Sequence, residues 1–168
     1  MVQQIERKFS PLEEVLAYQN DEVVYRFYDN YDVPLEEARD IFEETKKFLY
    51  LSGTYMGDHE IFTHEPLYII DEMWHTFLLF TRDYHDFCHH YFGFYIHHYI
   101  MPRDAKRRAI REFEEEREKA SAKVRPILTE YYTLIYEALG EETLVKWMRH
   151  YGTKYTKEYL NTIRRPLE

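Results

Sequence analysis

The chain has one cysteine, five glycines, no run of 18 apolar residues and no Gly/Ser tract, and each scarcity closes off a class of protein. A lone Cys88 cannot form an internal disulfide, which fits a reducing compartment. Without a long apolar run there is no candidate membrane helix, and the opening MVQQIERKFS lacks the apolar centre of a signal peptide, so a cytoplasmic home is expected. Basic residues are also in the minority. With 22 of them against 31 acidic ones the formal charge is −9, which repels phosphate backbones and argues against a nucleic-acid partner. With no internal repeat or linker, the 168 residues are expected to form a single domain.

Aromatic rings are abundant. Seventeen Tyr and 11 Phe predict a core that is aromatic and, through the tyrosine hydroxyls, partly polar. Ser10, Pro11 and Glu13 have the pattern of a capping box and predict a short helix to about Gln19, followed by a second from Asp21. From Pro34 to near Gly53, Leu35, Ala38, Ile41, Phe42, Phe48 and Leu49 recur at helical spacing, with Glu36, Glu37, Asp40 and Glu43 on the other side, facing solvent. Residues 53 to 65 read as a loop. From Pro66, LYIIDEMWHTFLLF is apolar nearly all round, as in a central bundle helix. Thr81 is a candidate N-cap for TRDYHDFCHHYF, and Gly93 a candidate left-handed terminator.

Residues 94 to 101 read as a connection closed by Pro102. Residues 103 to 123 mix both signs of charge and predict a solvated helix, with Asp104/Arg108 and Glu115/Lys119 spaced as helical ion pairs. Further helices are expected over 124 to 139, ended by Gly140, and over 141 to 151, with a short one in the tail. No alternating strand pattern is present, so the fold expected is an all-α bundle of about six to eight helices.

The histidines crowd between positions 59 and 98. Asp71 and His75 are four apart on the central helix and leave one face; Tyr84 and Cys88 are four apart on the next, and His97 or His98 follows after Gly93. Imidazole, thiolate and carboxylate suit zinc above all, and iron or copper too, so Asp71, His75, Cys88, His97 and His98 are the candidate ligands of one metal ion. Tyr84 and His85 would stand behind them. The competing reading is a hydrogen-bonded Asp/His pair and a core cysteine, with no metal. His85 and His89 are also four apart but lie toward the outside. His59 and His64 are expected in solvent, Trp74 in the core, and His150 has no role.

The run Asp71-Glu72-Met73-Trp74-His75, with Tyr84, Cys88, Gly93 and His97-His98, resembles the central motif of the glycine-rich domain-containing protein-like family over about residues 67 to 98. The resemblance implies that Asp71, His75, Cys88 and His97 or His98 belong together, and it implies no reaction. The chain departs from that pattern at Phe77, where many members carry a second histidine, and it lacks their glycine-rich tail. Three function classes follow: an interaction module with a structural metal, serving a protein or small-molecule partner; a metalloenzyme, hydrolase or oxidoreductase, with an open coordination position; and a metal-free helical interaction protein. A filled coordination sphere without a cavity marks the first, and a pocket reaching the cluster marks the second. The first is slightly favoured, because no second acid/base pair, nucleophile elbow or phosphate loop accompanies the cluster.

Overall fold

The computed structural model describes residues 9–56 and 65–166. It is all-α: α1 (Leu12–Leu16), α2 (Asp21–Asn30), α3 (Leu35–Leu51), α4 (Tyr68–Leu79), α5 (Thr81–Phe92), α6 (Arg103–Glu115), α7 (Arg117–Val145), α8 (Gly152–Lys154) and α9 (Lys157–Ile163). A π-helical turn, Ser52–Met56, prolongs α3, a 3-10 turn, Glu65–Leu67, leads into α4, and a second π-helical stretch, Lys146–Tyr151, leads into α8. Among the described residues the only extended pairing is an isolated bridge between Tyr31 and Arg164. No helix there is long and apolar enough to cross a membrane. His59 and His64 lie outside the described residues.

The chain divides into two compact units, one of Met1–His97 with Val145–Glu168 and one of His98–Leu144. In the first, α3 is the central element, packed by α1, α2 and α4. Ala38, Ile41, Phe42, Phe48, Leu49 and Leu51 of α3 are buried, as their spacing predicts. Phe77, fully buried on α4, sits edge-on to Phe42, Tyr84 and Phe87 with centroids 5.5, 5.1 and 5.3 Å away. That arrangement suits ring quadrupoles and explains why a Phe occupies this position.

Three helix boundaries differ from those expected. Ser10 caps nothing: Pro11 holds the extended cap position of α1, and the Ser10 N–H is drawn to the Tyr91 carbonyl at 3.1 Å. Asn20 caps α2 instead, accepting from the Val23 N–H at 3.2 Å. Thr81 is the first residue of α5, because Phe80 both ends α4 and starts α5 and leaves no room for a separate cap. Gly93 does end α5 in the left-handed conformation, φ +77°.

The larger correction concerns the acidic side of α3. Glu37 and Asp40 do not simply face solvent: with Glu44 they form a row that grips residues 146 to 155. Glu37 accepts from Lys154 and Tyr155; Asp40 from Lys146 at 2.5 Å and Tyr151 at 2.7 Å; Glu44 from Lys146 at 2.9 Å and the Trp147 indole at 2.8 Å. Burial of the apolar rings of Trp147, Tyr151 and Tyr155 desolvates these carboxylates, and the ammonium and hydroxyl donors repay that loss.

In the second unit α6 buries no residue, in keeping with a solvated helix. Its end comes earlier than expected, at Glu116, where φ −134° and ψ 51° break the helix; Lys123 then pairs with Glu112 across the turn. Lys119 pairs with Glu116 at 3.0 Å, one residue on from the expected Glu115. Pro126 is carried inside α7, and Gly140, φ +86°, interrupts that helix. Ala120, Tyr131, Ile135 and Thr143 are its buried residues.

Candidate metal centre and adjoining groove

Trp74 fixes the orientation of α4. It is buried, and its indole N–H donates to the Tyr84 hydroxyl at 3.0 Å; that hydroxyl in turn donates to the Ile96 carbonyl at 2.7 Å. The chain Trp74–Tyr84–Ile96 ties α4, α5 and the segment after Gly93 into one corner. Burial pushes the Tyr84 phenol far up, which keeps it protonated and a donor. Cys88, wholly buried one turn further along α5, has its thiol against the Tyr84 hydroxyl and the Ile96 backbone, and burial likewise pushes its thiol up.

One residue along α4 turns the side chain by about 100°. His75 therefore leaves the buried face on which Trp74 lies and stands 45% exposed, with its Nδ1 3.5 Å from Oδ2 of Asp71, one turn earlier and 16% exposed. Asp71, His75 and His98 each offer one ligand atom, and all three atoms lie within 4.8 Å of one another.

The predicted cluster is thus parted in two. Asp71, His75 and His98 stand together on the more open side, whereas Cys88 and Tyr84 lie in the buried corner with Trp74. His97 is exposed beside the Tyr95 ring, with centroids 4.8 Å apart. His85 is exposed on the outer side of α5, its ring tilted against that of His89 with centroids 4.3 Å apart and its Nδ1 3.3 Å from Asp86. Adjacent residues on one helix point roughly 100° apart, and that is why Trp74 and His75 part company.

A groove of about 420 Å³ opens beside His75. Glu72 and Thr76 of α4 line it together with Arg26 and Tyr31 from the α2 region and with Arg164 and Arg165. The Tyr31 hydroxyl donates to Glu72 at 2.5 Å and accepts from Arg164 at 2.8 Å, and Arg164 also donates to Glu72 at 2.7 Å. Burial and the neighbouring Glu72 carboxylate push the Tyr31 phenol up, so it remains a donor. Sequence reasoning gave this groove no place, since Arg164 lies 92 residues from Glu72 and Arg26 stands on a different helix before it. The hint was that Glu72, with Asp71 and His75, interrupts a helix that is apolar nearly all round.

Residues 18–111 match the UCP032817-like family. The chain belongs to that family. Its description names no activity, and the match covers α2 to α5 and most of α6. The resemblance to the glycine-rich domain-containing protein-like family is thereby overturned, since the family that the chain matches is a different one. The short motif behind it consists largely of residues that pack the corner, Trp74, Tyr84 and Cys88, and of the helix stop Gly93. No curated protein and no solved structure matches the chain.

Proposed function

We propose that this member of the UCP032817-like family binds one divalent transition-metal ion through Asp71, His75 and His98 and presents it to a small molecule in the adjoining groove. The donor set fits: two imidazoles and one carboxylate are the ligands of open zinc sites, and iron also takes that combination. Tetrahedral zinc with bonds of about 2.0–2.1 Å holds its ligand atoms roughly 3.4 Å apart, close to the 3.5 Å between His75 and Asp71. Half-exposed His75 can turn to close the remaining gap.

The observation that carries this reading is that His75 belongs both to the ligand group and to the groove wall. A purely structural site would be closed on all sides by protein ligands. Here three protein ligands leave a position for water or another molecule, so the balance moves from a structural metal toward a binding or metal-assisted role. Zinc is the first candidate, with iron and copper behind it. Tyr84 and Cys88 would brace the site by holding Ile96, and with it the approach of His98.

Elemental analysis of the purified full chain, prepared without chelators, tests the proposal. About one metal ion per chain is expected, lost in His75→Ala and Asp71→Asn and retained in Cys88→Ala. A metal-free wild type that also fails to take up added zinc would overturn it. Metal retained in both ligand variants would do the same.

A further inference from the structure

We infer that the groove beside His75 is a binding site for a small organic anion, a carboxylate or a phosphate ester, held by Arg26 and Arg164. The inference deepens the proposed function by naming the class of molecule, and it relies on that reading only for the idea that the ligand also meets the metal.

The charge of the groove runs against that of the chain. In a protein of formal charge −9, three arginines line this wall and Glu72 is its one acidic residue. The three cations are not equivalent. Arg164 is fixed by Glu72 and Tyr31, and Arg165 is paired with Asp32 at 2.8 Å. Arg26, on the exposed side of α2, makes no ion pair among the described residues. Two cations are therefore balanced by carboxylates and one is left over. Guanidinium is planar and permanently charged, and its forked donors match the two oxygens of a carboxylate or phosphate.

Arg164 complements it. Its Nη2 serves Tyr31 and Glu72 together, which holds the guanidinium in place while its remaining N–H groups stay available as donors. A fixed donor costs less ordering on binding than a mobile one. The volume of about 420 Å³ falls within the range of small-molecule sites, and Leu78 and Leu79 add an apolar strip for a carbon skeleton. An anion with a second oxygen group can reach from the arginines toward His75.

Calorimetric titration of the full chain with succinate, glycerol 2-phosphate and neutral succinamide, each with and without bound zinc, tests the inference. At least one anion is expected to bind tenfold or more tightly than succinamide, and Arg26→Gln should weaken it by at least tenfold with the melting temperature unchanged. Arg26→Lys should recover part of the affinity, and added salt should lower it. The better of the two anions identifies the group. Equal affinities in wild type and Arg26→Gln, equal affinity for succinamide, or no binding by either anion would overturn it. Anion binding that survives in metal-free protein but is lost in Arg26→Gln supports the groove even if the metal reading fails. Metal uptake without anion binding sinks the groove alone.

Discussion

The acidic row on α3 and the polar group on α4 use similar residues at similar helical spacing to different ends. On α3, Glu37 and Asp40 each meet two donors and Glu44 meets three, Lys47, Lys146 and Trp147, and Glu44 is almost wholly buried. On α4, Asp71 and His75 remain partly open to solvent, and His75 borders a groove. Charges that are saturated by partners from the same fold serve stability. Polar groups that stay partly open beside a groove are placed where something outside the chain can reach them. Residue type and spacing did not separate the two; burial and the neighbouring empty space do.

The comparison can be broken at several points, the largest effects lying on the structural side. Trp74→Ala should cost about 3–5 kcal/mol in chemical denaturation, because a large buried ring and the bond to Tyr84 are lost together. Glu44→Ala should cost about 1–3 kcal/mol in the same measurement, since it leaves the buried Trp147 N–H without its acceptor and takes from Lys146 one of its two carboxylates. A loss below about 1 kcal/mol would show that the row is decorative. Tyr84→Phe should cost about 1–3 kcal/mol, leaving the Ile96 carbonyl without its donor, and should weaken zinc binding by loosening the segment that carries His98.

Across the groove the pattern reverses. His75→Ala should shift stability of the metal-free protein by no more than about 0.5 kcal/mol, as for an exposed position, while removing bound metal. A large destabilisation of the metal-free form would erase the contrast between the two helices.

Acid provides the gentlest test. Burial raises the carboxyls of Glu37 and Asp40, but the hydrogen bonds from Lys154 and Tyr155, and from Lys146 and Tyr151, outweigh it and leave both below their ordinary range. A carboxylate whose folded pKa is depressed adds stability above its unfolded value, and that stability drains away as the pH falls through the folded pKa. Melting temperature should thus hold above about pH 5 and fall below pH 4, more steeply in wild type than in an Asp40→Asn variant.

Much of the fold could be read from the sequence because it depends on local periodicity. The buried positions of α3, the left-handed stop at Gly93 and the exposed course of α6 all follow from residue order alone. The caps at Ser10 and Thr81 failed where tertiary bonds or a shared corner residue took over the cap position. Glu37 and Asp40 were misread because their partners lie more than a hundred residues away. At the candidate site the adjacency of Asp71 and His75 was legible from their spacing. The separation of Cys88 from them was not, since it depends on how Trp74 and Tyr84 dock. The role of Arg26 and Arg164 required the tertiary fold.

The isolated bridge between Tyr31 and Arg164 also bears on the order of assembly. Synthesis proceeds from the N-terminus, so Tyr31 and Glu72 emerge well before Arg164 and Arg165. During that interval the helices α2 to α5 can already pack, with Tyr31 and Glu72 paired but the far wall of the groove missing. The groove therefore closes only after the segment carrying Arg164 has been made, and a nascent chain stalled before that point would expose α4 without the arginine that lies beside it.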